Sequence, residues 1–173
     1  MLKQLSIVIC SLVVLVTLYA KDDHHPEPYV GSQEFQKMKS LVGTWEGSQM
    51  MEGKEQKTSV EYDLSSNGSA LIEKIFCGAA HEMISIYHER RGKLNLTHYC
   101  ALANQPNLVL TKSGDSEIEF EFGGYNDIDP DKDWHIHSLK IIFQNDNKII
   151  QEWTSLKNGK AEDPTRIELT RVI

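Results

Sequence analysis

The feature that most constrains this chain is its punctuation. From Thr44 onward no stretch sustains a helical period. Short runs of β-branched, aromatic and aliphatic residues are cut at intervals by Gly, Asn, Ser and Asp. The runs are Thr44–Met50, Lys57–Leu64, Ala70–Cys77, Met83–Glu89, Lys93–Ala101, Asn107–Lys112, Glu117–Phe122, Trp134–Phe143, Lys148–Leu156 and Thr165–Val172. Between them stand Ser65-Ser66-Asn67-Gly68, Arg90-Arg91-Gly92, Ser113-Gly114-Asp115, Gln144-Asn145-Asp146-Asn147 and Asn158-Gly159. Gly and Asn supply the positive-φ positions that tight hairpins need. No connection is a helical crossover, so consecutive strands are expected to run antiparallel. Strands with no helices to cover their edges are expected to close on themselves, because open edges invite pairing with other chains. The predicted fold class is all-β: an antiparallel up-and-down β-barrel of about ten strands.

A single helix precedes the strands. Within 31–42, Phe35, Met38, Leu41 and Val42 recur at helical spacing behind Ser32, which predicts one short amphipathic helix closing an end of the barrel. Upstream, Lys3 is followed by an apolar run from Leu5 to Leu18 and a small residue at Ala20. That run is short for a membrane span and is followed at once by charged residues, so 1–20 is read as a cleavable signal peptide. Residues 21–30 are read as a disordered leader and 31–173 as a single domain. The expected location is secreted or periplasmic, with no membrane contact after cleavage. Cys10 leaves with the signal. Cys77 and Cys100 remain, too few for a disulfide framework, so the fold must rest on an apolar core. The net charge of −7, from 18 basic and 25 acidic residues, excludes nucleic acid as a partner, since phosphate contacts need a basic face.

The helix leads into Gly43-Thr44-Trp45, and the last strand carries Arg166 and Arg171. This arrangement resembles the calycins, the lipocalins and fatty-acid-binding proteins. The resemblance implies a closed barrel with the Trp packed across one end and an Arg over it. The chain is also similar to an uncharacterised family of secreted calycin-like proteins marked by Thr97-His98-Tyr99-Cys100, then Asn104-Gln105-Pro106, and later His135-Ile136-His137. That family implies no established activity.

Alternating antiparallel strands put the tight turns at the helix end and the longer loops on the opposite rim, where binding usually sits. Side-chain alternation then selects inward residues. Leu94, Leu96, His98 and Cys100 share one face, as do His135, His137, Leu139, Ile141 and Phe143, and Leu71, Glu73, Ile75 and Cys77. Ile84, Ile86 and His88 share another. The expected ligand-binding set is therefore Glu73, His98, Cys100, Asn104, Gln105, His135 and His137, around a small molecule in the lumen. Asn104 and Gln105 at the rim would orient a polar head group. An alternative is a metal- or haem-dependent protein or enzyme. His98, His135 and His137 would form an open three-His zinc site, or one of them would be the axial ligand of a haem. A His-x-His pair sets two imidazoles about 6–7 Å apart at Cα on one face. The third histidine lies three strands away, so it meets them only across a flattened lumen. Glu73 and His98 are expected level with each other but about 10 Å apart, which a direct bond cannot span without a bridging group. Cys77 and Cys100 come out near 9.6 Å on strands two apart, roughly 3 Å beyond disulfide reach. The Asp-rich stretch 127–133 reads as a solvated acidic loop rather than a calcium loop.

Overall fold

The computed structural model describes residues 26–51 and 53–172. Residues 1–20, read as a signal peptide, and residues 21–25 of the expected leader lie outside the described residues. The helix α1 (Gln33–Lys39) is capped by Ser32, whose Oγ accepts a hydrogen bond from the Phe35 N–H at 3.2 Å. Its Phe35 and Met38 are buried, with Leu41 just beyond its end. Among the described residues eleven strands follow: β1 (Gly43–Met51), β2 (Lys54–Ser65), β3 (Ala70–Ile75), β4 (Met83–Arg90), β5 (Lys93–Tyr99), β6 (Asn107–Ser113), β7 (Glu117–Phe122), β8 (His135–Asn145), β9 (Lys148–Lys157), β10 (Lys160–Ala161) and β11 (Thr165–Arg171). Consecutive strands pair antiparallel from β1 to β9. β11 then pairs with both β9 and β1, which closes a ten-strand barrel. The short β10 folds back on β9 as an extra strand that the sequence pattern did not reveal. Among the described residues no helix is long and apolar enough to cross a membrane.

The closed end is built as the pattern implied. Lys37 Nζ donates to the Gly114 and Asp115 carbonyls of the β6–β7 turn. Arg171 Nε donates to Asp146 O in the β8–β9 turn. Residues 26–30, read as leader, run across the same end: the Tyr29 N–H donates to Asn67 O, and Asn67 Nδ2 donates to the Pro26 and Glu27 carbonyls. Trp45 is fully buried and donates from Nε1 to Leu41 O at 2.8 Å. Of the two basic candidates, Arg171 is the one over the Trp45 ring, 4.3 Å from its centroid. Its Nη1 and Nη2 donate to the Val42 and Ser40 carbonyls at 2.7 Å each, just past the helix. Gly43 has φ +127°, and a Cβ there would lie 3.1 Å from Arg171 Nη1. A Cβ on Gly47 would lie 1.8 Å from Glu168 O, so only glycine lets β1 and β11 approach closely enough to seal the barrel. Arg166 faces outward and pairs with Glu152 and Glu168.

Two departures from simple alternation matter for the site. On β4 the inner residues are Ser85 and Tyr87, both buried, whereas Ile84, Ile86 and His88 are only half-buried on the other face. The isoleucines satisfy their apolar character across the outer surface, with Ile86 opposite Ile72 and Thr97. On β8 a bulge interrupts the alternation: Ile136 pairs with Ser155 and Ser138 with Thr154, leaving His137 as the extra residue. Ile136 consequently packs against the core.

The clasp at the closed end yields a first prediction. Arg171→Ala loses three backbone hydrogen bonds and a cation–π contact and should cost about 2 kcal/mol in urea unfolding. Arg166→Ala, on an exposed ion pair, should cost under about 1 kcal/mol. Equal losses would show that the clasp contributes nothing special.

Candidate functional site

Four successive strands place one row of inward residues across the barrel. Tyr62 on β2 is the cross-strand partner of Glu73 on β3, Glu73 of Ser85 on β4, and Ser85 of His98 on β5. All four are buried. Glu73 Oε1 accepts from Tyr62 Oη at 2.7 Å and from Gln151 Nε2 at 2.5 Å, and Oε2 accepts from Tyr87 Oη at 2.9 Å. Gln151 also donates to Tyr62 Oη at 2.5 Å, and its Oε1 accepts from Trp153 Nε1 at 3.0 Å. Ser85 stands on the strand between Glu73 and His98. Its Oγ lies 3.0 Å from His98 Nδ1, and its backbone is paired opposite Glu73. The His98 ring packs on Trp153 with centroids 5.0 Å apart.

Burial pushes the Glu73 carboxyl up, while hydrogen bonds from Tyr62, Gln151 and Tyr87 pull it back down. Burial lowers His98 to about 4, so its imidazole is neutral near pH 7. Within this network one polar atom has no partner, His98 Nε2. Gln49 Nε2 and Thr58 Oγ1 are also buried without partners.

The other expected site residues lie elsewhere. His135 is fully buried, with Nε2 3.3 Å from His137 Nδ1 and Nδ1 2.8 Å from Asp133 O. Phe122 packs on both rings, at 4.6 Å and 5.7 Å between centroids. Burial and the neighbouring His135 lower His137, against a smaller upward pull from Glu121. The structure therefore brings His135 and His137 together but does not gather His98 with them. Among the described residues no group of three or more His, Cys, Asp or Glu side chains could hold a metal ion. The three-His zinc site is not assembled, because β5 and β8 are three strands apart and the bulge redirects β8. Cys100 lies one residue past β5, in a turn where its N–H donates to Asn104 O. Burial raises its thiol. Cys77 and Cys100 are free thiols. Asn104 and Gln105 line a rim cavity of about 470 Å³ with Asp127, Asp133 and Trp134. There Asn104 Nδ2 donates to Trp134 O at 2.8 Å, and Asn104 Oδ1 has no partner. A larger cavity of about 890 Å³ lies between the β1–β2 hairpin and the β3–β4 loop and includes Thr58, Phe76, Cys77 and His81. Neither cavity is lined by Glu73, His98, His135 or His137.

Sequence reasoning missed Tyr62, Ser85, Tyr87, Gln151 and Trp153. Alternation from Val60 points to Tyr62, and alternation between Ile149 and Trp153 points to Gln151. Ser85 and Tyr87 were hidden by the apolar look of Ile84 and Ile86. Compared with protein-family models and with curated proteins, the chain matches none.

Two predictions follow from the network. Glu73→Leu strands two tyrosine hydroxyls and the Gln151 amide and should cost at least about 3 kcal/mol in chemical denaturation. An unchanged midpoint would show the network to be energetically idle. His98 has a folded-state value depressed from 6.5 to about 4, so its contribution is complete above pH 6.5 and is lost as pH falls through the folded value. That window corresponds to roughly 3 kcal/mol. The stability difference between wild type and His98→Leu should fall by about that amount between pH 7 and pH 4. A pH-independent difference would refute a buried neutral imidazole.

Proposed function

We propose that this chain is an exported small-molecule-binding barrel of the calycin type, whose ligand places its polar group on His98 inside the lumen. The calycin reading is supported by Gly43-x-Trp45 at the opening of β1, with Arg171 of the last strand over the Trp45 ring. The finer likeness to the secreted family rests on Thr97–Cys100, Asn104–Pro106 and the His135-x-His137 pair. The observation that carries the binding reading is His98 Nε2. Buried polar atoms are nearly always paired, and an unpaired one calls for a missing partner. Every neighbour in this network is satisfied, and the ring is held by Ser85 and Trp153, so the free nitrogen is a preorganised contact. Asn104 and Gln105 border the rim cavity and would meet the ligand at entry, with Cys100 in the same turn. His135 and His137 lie on the strand that follows the Gly123–Asp133 loop. A second reading, a single-histidine metal or haem centre, is favoured by the same atom. A neutral imidazole oriented through its other nitrogen is how one histidine presents a lone pair to iron or zinc.

Native mass spectrometry of protein purified from its own source tests both readings. A copurified organic mass that His98→Leu loses, with the barrel still folded, supports the binding reading. A Soret band or one equivalent of metal lost in the same variant moves the assignment to the second. Protein that carries nothing, or a ligand retained by His98→Leu, defeats the placement at His98.

A further inference from the structure

The cavity of about 890 Å³ between the β1–β2 hairpin and the β3–β4 loop stands apart from the His98 network. Its volume falls within the range of small-molecule pockets, about 300–1,000 Å³. One wall is a loop that turns against backbone preference. Phe76 has φ +60°, in the left-handed region that a bulky side chain rarely adopts. Several contacts hold the turn. The Phe76 N–H donates to Ser59 O at 3.0 Å, the Ala79 N–H to Phe76 O at 2.9 Å and the Gly78 N–H to the Glu82 carboxylate at 2.8 Å. The His81 ring packs on the Phe76 ring with centroids 4.8 Å apart. Strain of this kind persists only where the surroundings over-determine it, and it gathers at sites that clamp ligands. The loop brings Cys77 and His81 into the cavity wall. Cys77 is a free, half-buried thiol, 3.5 Å from Lys74 O. Thr58, only 7% exposed, lines the same cavity. Thr58 Oγ1 and His81 Nε2 are both buried without a hydrogen-bond partner, so two unpaired polar groups belong to this one cavity. Each is able to donate or to accept. The charged lining carries both signs, with Lys57 against Glu46 and Glu55, while Arg171 is committed to the clasp. Such a wall suits a polar zwitterion better than an apolar molecule or a plain anion.

We infer that this cavity receives a small, polar, zwitterionic disulfide and that Cys77 retains one half of it as a mixed disulfide. The Cys77 thiolate attacks one sulfur of the incoming disulfide. A new S–S bond forms to Cys77 as the ligand's own S–S bond breaks. The other half leaves as a thiolate and takes up the proton that Cys77 gave up, so the incoming disulfide is the only oxidant required. Thr58 and His81 hold the polar chain of the bound half, Lys57 meets its carboxylate, and Glu46 and Glu55 meet its ammonium. Cys100 is not equivalent. It does not line this cavity, and burial raises its thiol, which leaves less thiolate to attack. The inference is independent of the ligand placed at His98, since neither Glu73 nor His98 lines this cavity.

The test uses the full chain, reduced, with oxidised glutathione as the probe and hydroxyethyl disulfide as the neutral comparison. Intact mass follows the adduct, and peptide mapping assigns it to a cysteine. Cys77 should gain one glutathionyl group at least about tenfold faster than it reacts with hydroxyethyl disulfide, although the net charge of −7 repels an anionic probe. Cys100 should react more slowly with both compounds and without the preference. Thr58→Val keeps the side-chain shape and removes the hydroxyl, and the preference at Cys77 should shrink to under about threefold. Its unfolding midpoint should be no lower than that of wild type, because the hydroxyl removed is unpaired. Lys57→Ala, at an exposed position where folding is not at stake, should reduce the preference by at least about twofold. No adduct at Cys77, equal rates for the two disulfides, the same preference at Cys100, or a preference unchanged in either variant overturns the inference. None of these outcomes bears on the assignment at His98.

Discussion

The guanidinium of Arg171 holds the closed end of this barrel together. It lies over the Trp45 ring and donates to carbonyls from the end of α1, from the approach to β1 and from the β8–β9 turn. One side chain on the last strand thereby ties the helical plug, the first strand and a distant hairpin. The arrangement depends on what is absent nearby. Without a Cβ, Gly43 leaves room for the guanidinium, and Gly47 lets β1 lie against the β11 backbone. An antiparallel sheet of ten strands has two edges to hide, and the β1–β11 pairing removes both. Trp45 belongs to this structural device rather than to ligand binding.

Burial makes the interior's polar chemistry consequential. Burial raises the Glu73 carboxyl, and donors from β2, β4 and β9 converge on it to offset that cost. Low dielectric strengthens each of those bonds and equally penalises any group left out. The network runs up to His98 and stops there, with one imidazole nitrogen bonded and the other without a partner. His98 Nε2 is the atom of this network left without a partner, while Gln49 Nε2 and Thr58 Oγ1 are unpaired elsewhere in the interior. The same burial lowers His98 to about 4 and keeps its imidazole neutral near pH 7.

Much of this architecture was legible in the sequence. The turn-forming clusters located the hairpins, and the spacing of Phe35, Met38 and Leu41 located the plug. Strand alternation placed Glu73 and His98 inward and level, with a gap too wide for a direct bond. The residue that stands between them was not legible. Ser85 shares its strand with two isoleucines that look like core residues, and only the neighbours on β3 and β5 show that those isoleucines pack on the outer wall. Nor was the separation of the histidines legible. His135 and His137 have the spacing of a same-face pair, and they do touch, but the bulge takes them out of simple register with the rest of β8.

The sequence by itself determined the class of fold, the number and order of the strands in the ring, the position of the helix and the polar residues available to the interior. These depend on local periodicity and turn conformation, which are properties of consecutive residues. Only the tertiary structure decided which of two arginines clasps Trp45, which serine stands between Glu73 and His98, and which histidine nitrogen is left without a partner. Those outcomes depend on register between strands and on bulges. A single-residue shift in either exchanges the inner and outer faces of a strand, and no property of that strand alone records which face the closed barrel will enclose.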